Sequence, residues 1–241
     1  ARVLVRHISS YSETLARLGR LAARLVEQHI REETVLGISW GTAVYEVVNA
    51  LRPRHAPHIR VVQLIGALDT EDPRIDGPEL ARWLARLFGG RYQTLSAPLI
   101  VDTEAVRNAL LRDSRMRNVL EQARDVDLAI VGIGTTNPEM SSLVRAGYMT
   151  AEEISEVAAT GAVGDVCGIH FDVQGHVLDI PITQRIVGIQ AYVLRRIPFV
   201  LGVAAGDTKV PAILGAVRAG LVNVLVTDDI TAQQVLALDQ K

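Results

Sequence analysis

The sequence predicts an α/β fold with a doubly wound, mostly parallel, Rossmann-like sheet. Short apolar runs alternate with amphipathic segments along the 241 residues, which is the pattern of repeated strand–helix units. The apolar runs are continuous, as expected for strands that helices cover on both faces. Hydrophobic residues make up 49% of the chain, so we expect residues 1–241 to form one large domain.

The predicted strands are apolar runs that end at turn-forming residues. Val, Ile and Leu dominate each run, and Gly, Thr or Asp follows where a turn is expected. Pro98 interrupts the third run, and residues 162–179 indicate a hairpin with a Gly-centred turn. The runs predicted to form the sheet are 34–40, 58–68, 92–101, 127–138 (with its turn), 199–206 and 222–229.

The predicted helices carry apolar residues at helical spacing. In residues 9–30, Leu residues recur every three or four positions with Arg residues opposite them. Residues 103–126 predict one long helix or two shorter ones, and the helix-rich region 68–125 is predicted to form a lobe or a cover over the sheet. The other predicted helices are 43–51, 76–90, 141–147, 150–161, 189–197, 210–220 and 231–238.

Charge and composition argue against several classes of function. The net charge is −2 and aromatic residues make up only 4% of the chain, so nothing indicates a nucleic acid-binding surface. No apolar run reaches the length of a membrane span, and no signal-peptide pattern opens the sequence. The single cysteine, Cys167, fits a reducing cytoplasm and is expected to be a small buried apolar residue. We therefore expect a cytoplasmic protein without membrane contact.

Motifs for metals and nucleotides are weak. His170 and His176 flank Asp172, but their spacing fits a strand and a turn better than a metal site. No Gly-Lys-Ser/Thr follows the glycine at residue 41, and the "GIGTTNP" turn lacks the third glycine of a dinucleotide fingerprint. We therefore expect neither a metal nor a cofactor.

The turn that follows the first predicted strand of the sheet has features of an anion site. In "VLGISWGTAVYEVVNAL", residues 35–51, an apolar run ends at Ser39 and a helical pattern begins after Gly41 and Thr42. Backbone N–H groups, a hydroxyl and the positive end of a helix suit a phosphate monoester. The alternative is a plain helix cap, because Ser and Thr favour that position in any helix.

Lys209 and Asp165 are further candidates for ligand contact. Lys209 follows a predicted strand in "AAGDTKVPAI" and can pair with a phosphate, bond a hydroxyl, or form a Schiff base with a sugar carbonyl if it is desolvated. The alternative for Lys209 is a solvated surface residue. Asp165 lies in an apolar strand, so its carboxylate needs a hydrogen-bond partner on a ligand or on a neighbouring loop.

Several stretches occur together in the order seen in one family. They are "VLGISWGTAVYEVV", "VVQLIGAL", "DLAIVGIGTTNP", "AVGDVCGIHFDVQGH" and the closing stretch from "RIVGIQAYVL" to "VTDDITAQQVL". In this order they resemble the sugar-binding domain of SorC/DeoR-type bacterial transcriptional regulators, from about residue 10 to the end. The resemblance implies a fold similar to ribose-5-phosphate isomerase and glucosamine-6-phosphate deaminase.

The resemblance also implies a ligand and a set of site residues. The domain is expected to sense a phosphorylated sugar or polyol without turning it over. Gln63 stands where members that bind two phosphates tend to carry a basic residue, so a monophosphate is favoured. The implied phosphate-binding residues are Gly41, Thr42, Ala43 and Lys209, and the implied sugar-binding residues are Gln63, Gly66, Gly132, Gly134 and Asp165.

Assembly and partners follow from the same resemblance. Such regulators work as dimers or tetramers and bind operator DNA through an N-terminal helix-turn-helix domain, which we expect to be absent from this chain. The chain is then an effector-binding domain, and not an enzyme. The alternative is a sugar-phosphate isomerase or deaminase of the same fold, with Lys209 and Asp165 as its reactive groups.

Overall fold

A parallel sheet of seven strands forms the centre of the computed structural model, which describes residues 1–5, 10–53, 55, 57–68 and 72–240. Two further short strands pair as an antiparallel hairpin. The described strands are β1 (Arg2–Leu4), β2 (Val35–Ile38), β3 (Arg60–Gln63), β4 (Arg91–Gln93), β5 (Leu128–Gly132), β6 (Gly164–Val166), β7 (Ile169–Phe171), β8 (Phe199–Val203) and β9 (Val224–Asp228).

The helices of the described residues cover both faces of this sheet. They are α1 (Tyr11–His29), α2 (Thr42–Ala50), α3 (Gly77–Leu87), α4 (Glu104–Arg112), α5 (Ser114–Gln122), α6 (Ser142–Arg145), α7 (Ala151–Ala159), α8 (Ala191–Leu194), α9 (Val210–Arg218) and α10 (Asp229–Asp239). Within the described ranges, none of them has the length and apolar composition that a membrane-spanning helix requires. The predicted doubly wound α/β class is confirmed.

The strand order places one crevice at the middle of the sheet. The strands lie in the order β1-β9-β8-β5-β2-β3-β4, and all seven are parallel. The chain runs outward from β2 through β3 to β4, then returns to the other side of β2 to form β5. The carboxyl ends of β2 and β5 therefore flank a topological switch point, where open α/β sheets bind ligands.

Two apolar layers hold the helices on the sheet. On one face, Leu18 of α1 and Val47 of α2 are fully buried against Leu36 and Ile130 of the sheet. On the other face, helices α7 and α9 and the hairpin of β6 and β7 are packed on alternate residues of the same strands. Burial on both faces explains why the strands are continuous apolar runs.

Several element boundaries differ from the sequence-based expectation. Residues 103–126 form two helices, because the Asp113 carboxylate accepts hydrogen bonds from the N–H groups of Arg115 and Met116 and so starts α5. The predicted strand 92–101 is a strand only at β4, since the chain then leaves the ladder and makes isolated bridges at Pro98 and Ile100. The edge strand β1 is absent from the prediction because only three residues form it.

The region 68–125 does not form one lobe. Helix α3 packs on the sheet beside α2, whereas Met116 of α5 joins a small separate cluster with Leu95 and Val187. The hairpin is where the sequence indicates it, with Cys167 and Gly168 at its two-residue turn. Both residues have positive φ (52° and 72°), as the commonest hairpin turn requires.

Candidate ligand-binding site

A cavity of about 200 Å³ lies at the switch point of the sheet. The turns after β2, β5 and β8, the hairpin turn and the first turn of α1 surround it. Its volume is below the roughly 300–1,000 Å³ of sites for drug-sized ligands, so it suits a compact molecule. Of the residues that the sequence analysis singles out, it is bordered by Gly41, Thr42, Ala43, Gly132, Gly134, Asp165 and Lys209.

The turn after β2 leaves the start of α2 open. Gly41 is the cap residue, with φ 115°, and no side chain caps the helix. The N–H group of Gly41 donates to Ile75 O at 2.9 Å, whereas Thr42 and Ala43 border the cavity at the first turn of the helix. The alternative interpretation, in which a Ser or Thr hydroxyl simply caps this helix, is therefore wrong.

Ser39 joins this turn to the next strand of the sheet. Its Oγ accepts a hydrogen bond from the N–H group of Gly132 at 3.3 Å, and its own N–H group donates to Ile130 O at 3.1 Å. The side chain is buried but borders the cavity. Ser39 thus fixes the turns after β2 and β5 relative to each other.

Lys209 is a buried cation at the wall of the cavity. Its Nζ donates to Ile133 O at 2.6 Å, and the residue is only 9% exposed. Burial lowers the pKa of the Lys209 ammonium to about 8, an effect that the negative charge of Asp165 opposes and the positive charge of Arg145 adds to. The alternative of a solvated surface lysine is therefore wrong.

Asp165 lies between the cavity and the hairpin turn. Its Oδ2 accepts a hydrogen bond from Gly168 N at 3.0 Å, and its backbone carbonyl accepts one from Gly134 N at 2.8 Å. A Cβ atom on Gly134 would overlap Asp165 Oδ1, so this close approach requires glycine. Within the described residues, Oδ1 has no hydrogen-bond partner and remains available as an acceptor.

Gln63 and Gly66 lie apart from this cavity. Gln63 is fully buried, and its Nε2 donates to Ile65 O while its Oε1 accepts from Leu95 N. A Cβ atom on Gly66 would lie 2.5 Å from Pro98 O. The structure gives both residues a packing role and does not bring them to the other predicted site residues.

Other residues border the cavity without having been predicted. Tyr11 and Ser12 come from the first turn of α1, and Arg145 and Ser142 come from α6. Partial burial raises the pKa of the Tyr11 phenol, which the positive charge of Arg145 opposes. Arg145 is exposed, so it adds positive charge at the mouth of the cavity. No local motif marks these residues, because their position depends on how α1 and α6 pack.

The histidines near the hairpin have separate environments. His176 is exposed, and its Nδ1 pairs with Asp172 Oδ2 at 2.9 Å. His170 is buried, and its Nδ1 lies 3.1 Å from Gly168 O. Among the described residues, no group of three His, Cys, Asp or Glu side chains has the arrangement of a metal site.

Sequence comparison assigns the chain to a family. The model of the Sugar-bind family of sugar-binding domains matches residues 1–237. The chain belongs to this family. The resemblance to SorC/DeoR-type regulators is thereby confirmed.

The relatives of this sugar-binding domain are transcriptional regulators by name. The deoxyribonucleoside regulator of Bacillus subtilis strain 168 is 28% identical over 233 residues, covering 97% of this chain and 74% of that protein. The transcriptional regulator LsrR of Escherichia coli strain SMS-3-5 is 31% identical over 223 residues, covering 91% of this chain and 68% of that protein.

A solved structure shares the fold of the sugar-binding domain over nearly its whole length. The full-length sorbitol operon regulator SorC from Klebsiella pneumoniae superimposes with a TM-score of 0.90 at 25% identity. The match covers 97% of this chain and 75% of that one. The sugar-binding domain described here therefore corresponds to about three quarters of that regulator.

Proposed function

We propose that this domain senses a phosphorylated sugar or polyol in a cytoplasmic transcriptional regulator. The observation that carries the proposal is the open first turn of α2 facing a cavity that also holds the buried Lys209. Unpaired N–H groups at a helix start favour an anion, and a buried ammonium favours it further. Membership of the family favours a sugar as the ligand, and the positive charge at the cavity favours a phosphate group on that sugar.

In this proposal the phosphate binds at Gly41, Thr42 and Ala43, where Gly41 leaves space for it and Thr42 and Ala43 offer the N–H groups, because the Gly41 N–H already donates to Ile75 O. Lys209 adds positive charge from the other side of β5. Two basic side chains, Lys209 and Arg145, border the cavity against one acidic side chain, Asp165. Together with the helix start, this balance matches one phosphate group. The small volume of the cavity also favours a monophosphate.

The sugar hydroxyls are placed at the turns after β5 and β6. Gly132 leaves room for a ligand to approach the backbone, whereas Gly134 borders the cavity and is packed against Asp165. Within the described residues, Asp165 Oδ1 has no hydrogen-bond donor and can accept one from a hydroxyl group. Gln63 and Gly66 are left out of this proposal, because their side chain and backbone are occupied by contacts with residues 65, 95 and 98.

Ligand binding is proposed to control assembly and operator binding. The named relatives are regulators, and SorC is longer than this domain. In such a protein, operator DNA would be bound by a separate helix-turn-helix domain, and dimers or tetramers would be the responding unit. A ligand shifts that equilibrium only if it binds one arrangement more tightly than the other.

A sugar-phosphate isomerase or deaminase is the second candidate. The low pKa of Lys209, about 8, favours it, because a neutral amine can attack a carbonyl. Such an enzyme also needs a base close to the carbonyl, and among the described residues Asp165 is the only carboxylate that borders the cavity. Catalysis and sensing therefore differ in one observable, which is turnover of the bound ligand.

A thermal-shift screen tests the proposal. The domain is mixed with sugar and polyol phosphates beside their unphosphorylated parents, and each mixture is examined for turnover by mass spectrometry. A ligand at about 100 times its Kd stabilises the fold by roughly 2.7 kcal/mol. A shift that requires the phosphate, without turnover, is expected; turnover would favour the enzyme instead.

Two single-residue variants test where the phosphate binds. Lys209→Ala and Thr42→Ala are each expected to weaken ligand binding by more than about tenfold, or 1.4 kcal/mol. The control is Thr160→Ala, whose hydroxyl donates to Val157 O outside the cavity. Unchanged affinity in both test variants would contradict the site assignment.

A further inference from the structure

A second cavity lies on the other side of the hairpin turn. It has a volume of about 420 Å³ and is bordered by β7, the first turn of α4 and the segment 177–191. Cys167 borders both this cavity and the first one. The two spaces are therefore neighbours separated by the turn that Asp165 holds through Gly168.

A buried histidine with one free ring nitrogen borders the second cavity. His170 is only 1% exposed, and its Nδ1 lies 3.1 Å from Gly168 O. A carbonyl oxygen can only accept, so Nδ1 carries the proton. Burial lowers the pKa of the imidazole, although Asp165 and the Gly168 carbonyl oppose this, so the ring is neutral and Nε2 is an acceptor.

The Nε2 atom of His170 has no hydrogen-bond donor in the described part of the chain. It is not one of the fully enclosed polar atoms that lack a partner, so it keeps contact with open space. The open space that His170 borders is the second cavity. A ligand that donates a hydrogen bond can therefore reach Nε2 from this cavity.

The charges around the second cavity do not form an anion site. One basic side chain, Arg107, borders it against two acidic ones, Glu104 and Asp179. The Arg107 guanidinium already donates to Ile186 O at 3.3 Å and to Asn108 Oδ1 at 3.0 Å. The first cavity has the opposite balance, with two basic side chains and one acidic one.

Apolar side chains complete the wall of the second cavity. They are Ile169, Leu178, Ile186 and Ile189. A ligand that fits this wall has an apolar face together with a hydroxyl or N–H donor. These are the properties of a glycoside or a nucleoside without a phosphate.

We propose that this cavity is a second small-molecule site, for an uncharged hydroxyl-bearing compound that donates a hydrogen bond to His170 Nε2. The site is distinct from the phosphate site and does not depend on the function proposed above. A ligand there packs against the turn of Cys167 and Gly168, so it acts on the same turn that Asp165 orders for the first cavity.

Nitrogen NMR of the unmodified domain tests the contact directly. The probes are methyl β-D-glucopyranoside, thymidine, glycerol and inorganic phosphate, each followed through the ring nitrogens of His170. A hydrogen bond to Nε2 moves its signal toward that of a protonated nitrogen. We expect this shift, saturable, with the glucoside or thymidine, less with glycerol, and none with phosphate.

Two histidine variants complete the test by calorimetry with the same probes. His170→Phe is expected to weaken binding of the uncharged probe by about fivefold or more, the worth of one buried hydrogen bond. The matched control is His176→Phe, an exposed histidine eight positions after the hairpin turn, which is expected to bind as the unmodified domain does.

Three results would overturn the proposal. The first is the absence of an Nε2 shift with every uncharged probe. The second is a shift that phosphate alone produces. The third is an affinity that His170→Phe leaves unchanged, or that His176→Phe lowers equally. If His170→Phe does not fold, the NMR titration of the unmodified domain decides alone.

Discussion

The turns after β2 and β3 are neighbours at one edge of the sheet, yet they differ in what fills them. The turn after β2 ends in Gly41 without a side-chain cap, and its helix start faces a cavity. The turn after β3 is closed by the Gln63 side chain and by the contact of Gly66 with Pro98. We therefore expect a ligand at the turn after β2, where the helix start has no side-chain cap, and none at the turn after β3.

The largest effect is expected for a variant that disrupts the turn after β3. Gln63→Leu should lower the free energy of unfolding by about 3 kcal/mol, because Ile65 O and Leu95 N both lose a buried partner. Urea denaturation measures the loss, and ligand titration of the folded variant should give an unchanged Kd. The control is Gln93→Leu, whose Oε1 has no hydrogen-bond partner among the described residues and whose replacement should cost far less. A weaker ligand affinity without a loss of stability would instead indicate that Gln63 contacts the ligand.

Two glycine variants compare the turn after β3 with the turn after β5. Gly66→Ala should lower the free energy of unfolding by about 2 kcal/mol, because its Cβ would meet backbone atoms of Pro98 at 2.5 Å. Gly132→Ala should leave the stability nearly unchanged, because its nearest neighbour would be Trp40 O at 3.6 Å. The new methyl group borders the first cavity, so we expect it to weaken the ligand. Denaturation and titration of both variants distinguish the two roles, and equal stability losses would contradict them.

The smallest expected effect is a pH dependence of ligand affinity. The pKa of Lys209 is lowered to about 8, so its charge is present below that pH and is lost above it. Affinity for a phosphate ligand should fall about fourfold from pH 7 to pH 8.5 at constant ionic strength, as expected when the protonated form binds. Below about pH 6 the ligand itself loses charge. Calorimetry across this range should show the fall, and Lys209→Met should lack it.

The stability of the free domain has its own pH signature. Between pH 8 and about 10.5, the unfolded chain keeps the Lys209 proton that the folded chain has released. The unfolded state binds more protons there, so stability should rise with pH across that window. A flat profile in denaturation experiments, identical in Lys209→Met, would show that the lysine is solvated.

Features read from strand ends were predictable from the sequence. Gly41, Gly132, Asp165 and Lys209 each follow or lie in an apolar run, and parallel strands bring such ends to one edge. The hairpin was also predictable, since its turn residues are local. The burial of Lys209 could be suspected from its apolar neighbours, but its contact with Ile133 O depends on the packing of β8 beside β5.

Other features depend on contacts between distant segments. Tyr11 and Arg145 reach the cavity only because α1 and α6 pack near the switch point, and neither carries a local signal. Gln63 follows the rule for a site residue, yet Leu95, thirty-two positions later, occupies its amide. The three-residue β1 forms only by pairing with β9 at the opposite end of the chain. Contacts between such distant segments cannot be predicted from local sequence patterns.

The buried position of Cys167 has a practical consequence for spectroscopy. It is the only cysteine in the chain, and burial, together with the negative charge of Asp165, raises the pKa of its thiol far above neutral. Thiolate is the reactive form, so maleimide dyes should react slowly with the native domain. A cysteine introduced at the exposed Tyr11 or Thr42 can then be labelled selectively. The mouth of the cavity can thus carry a fluorophore without first removing a native thiol.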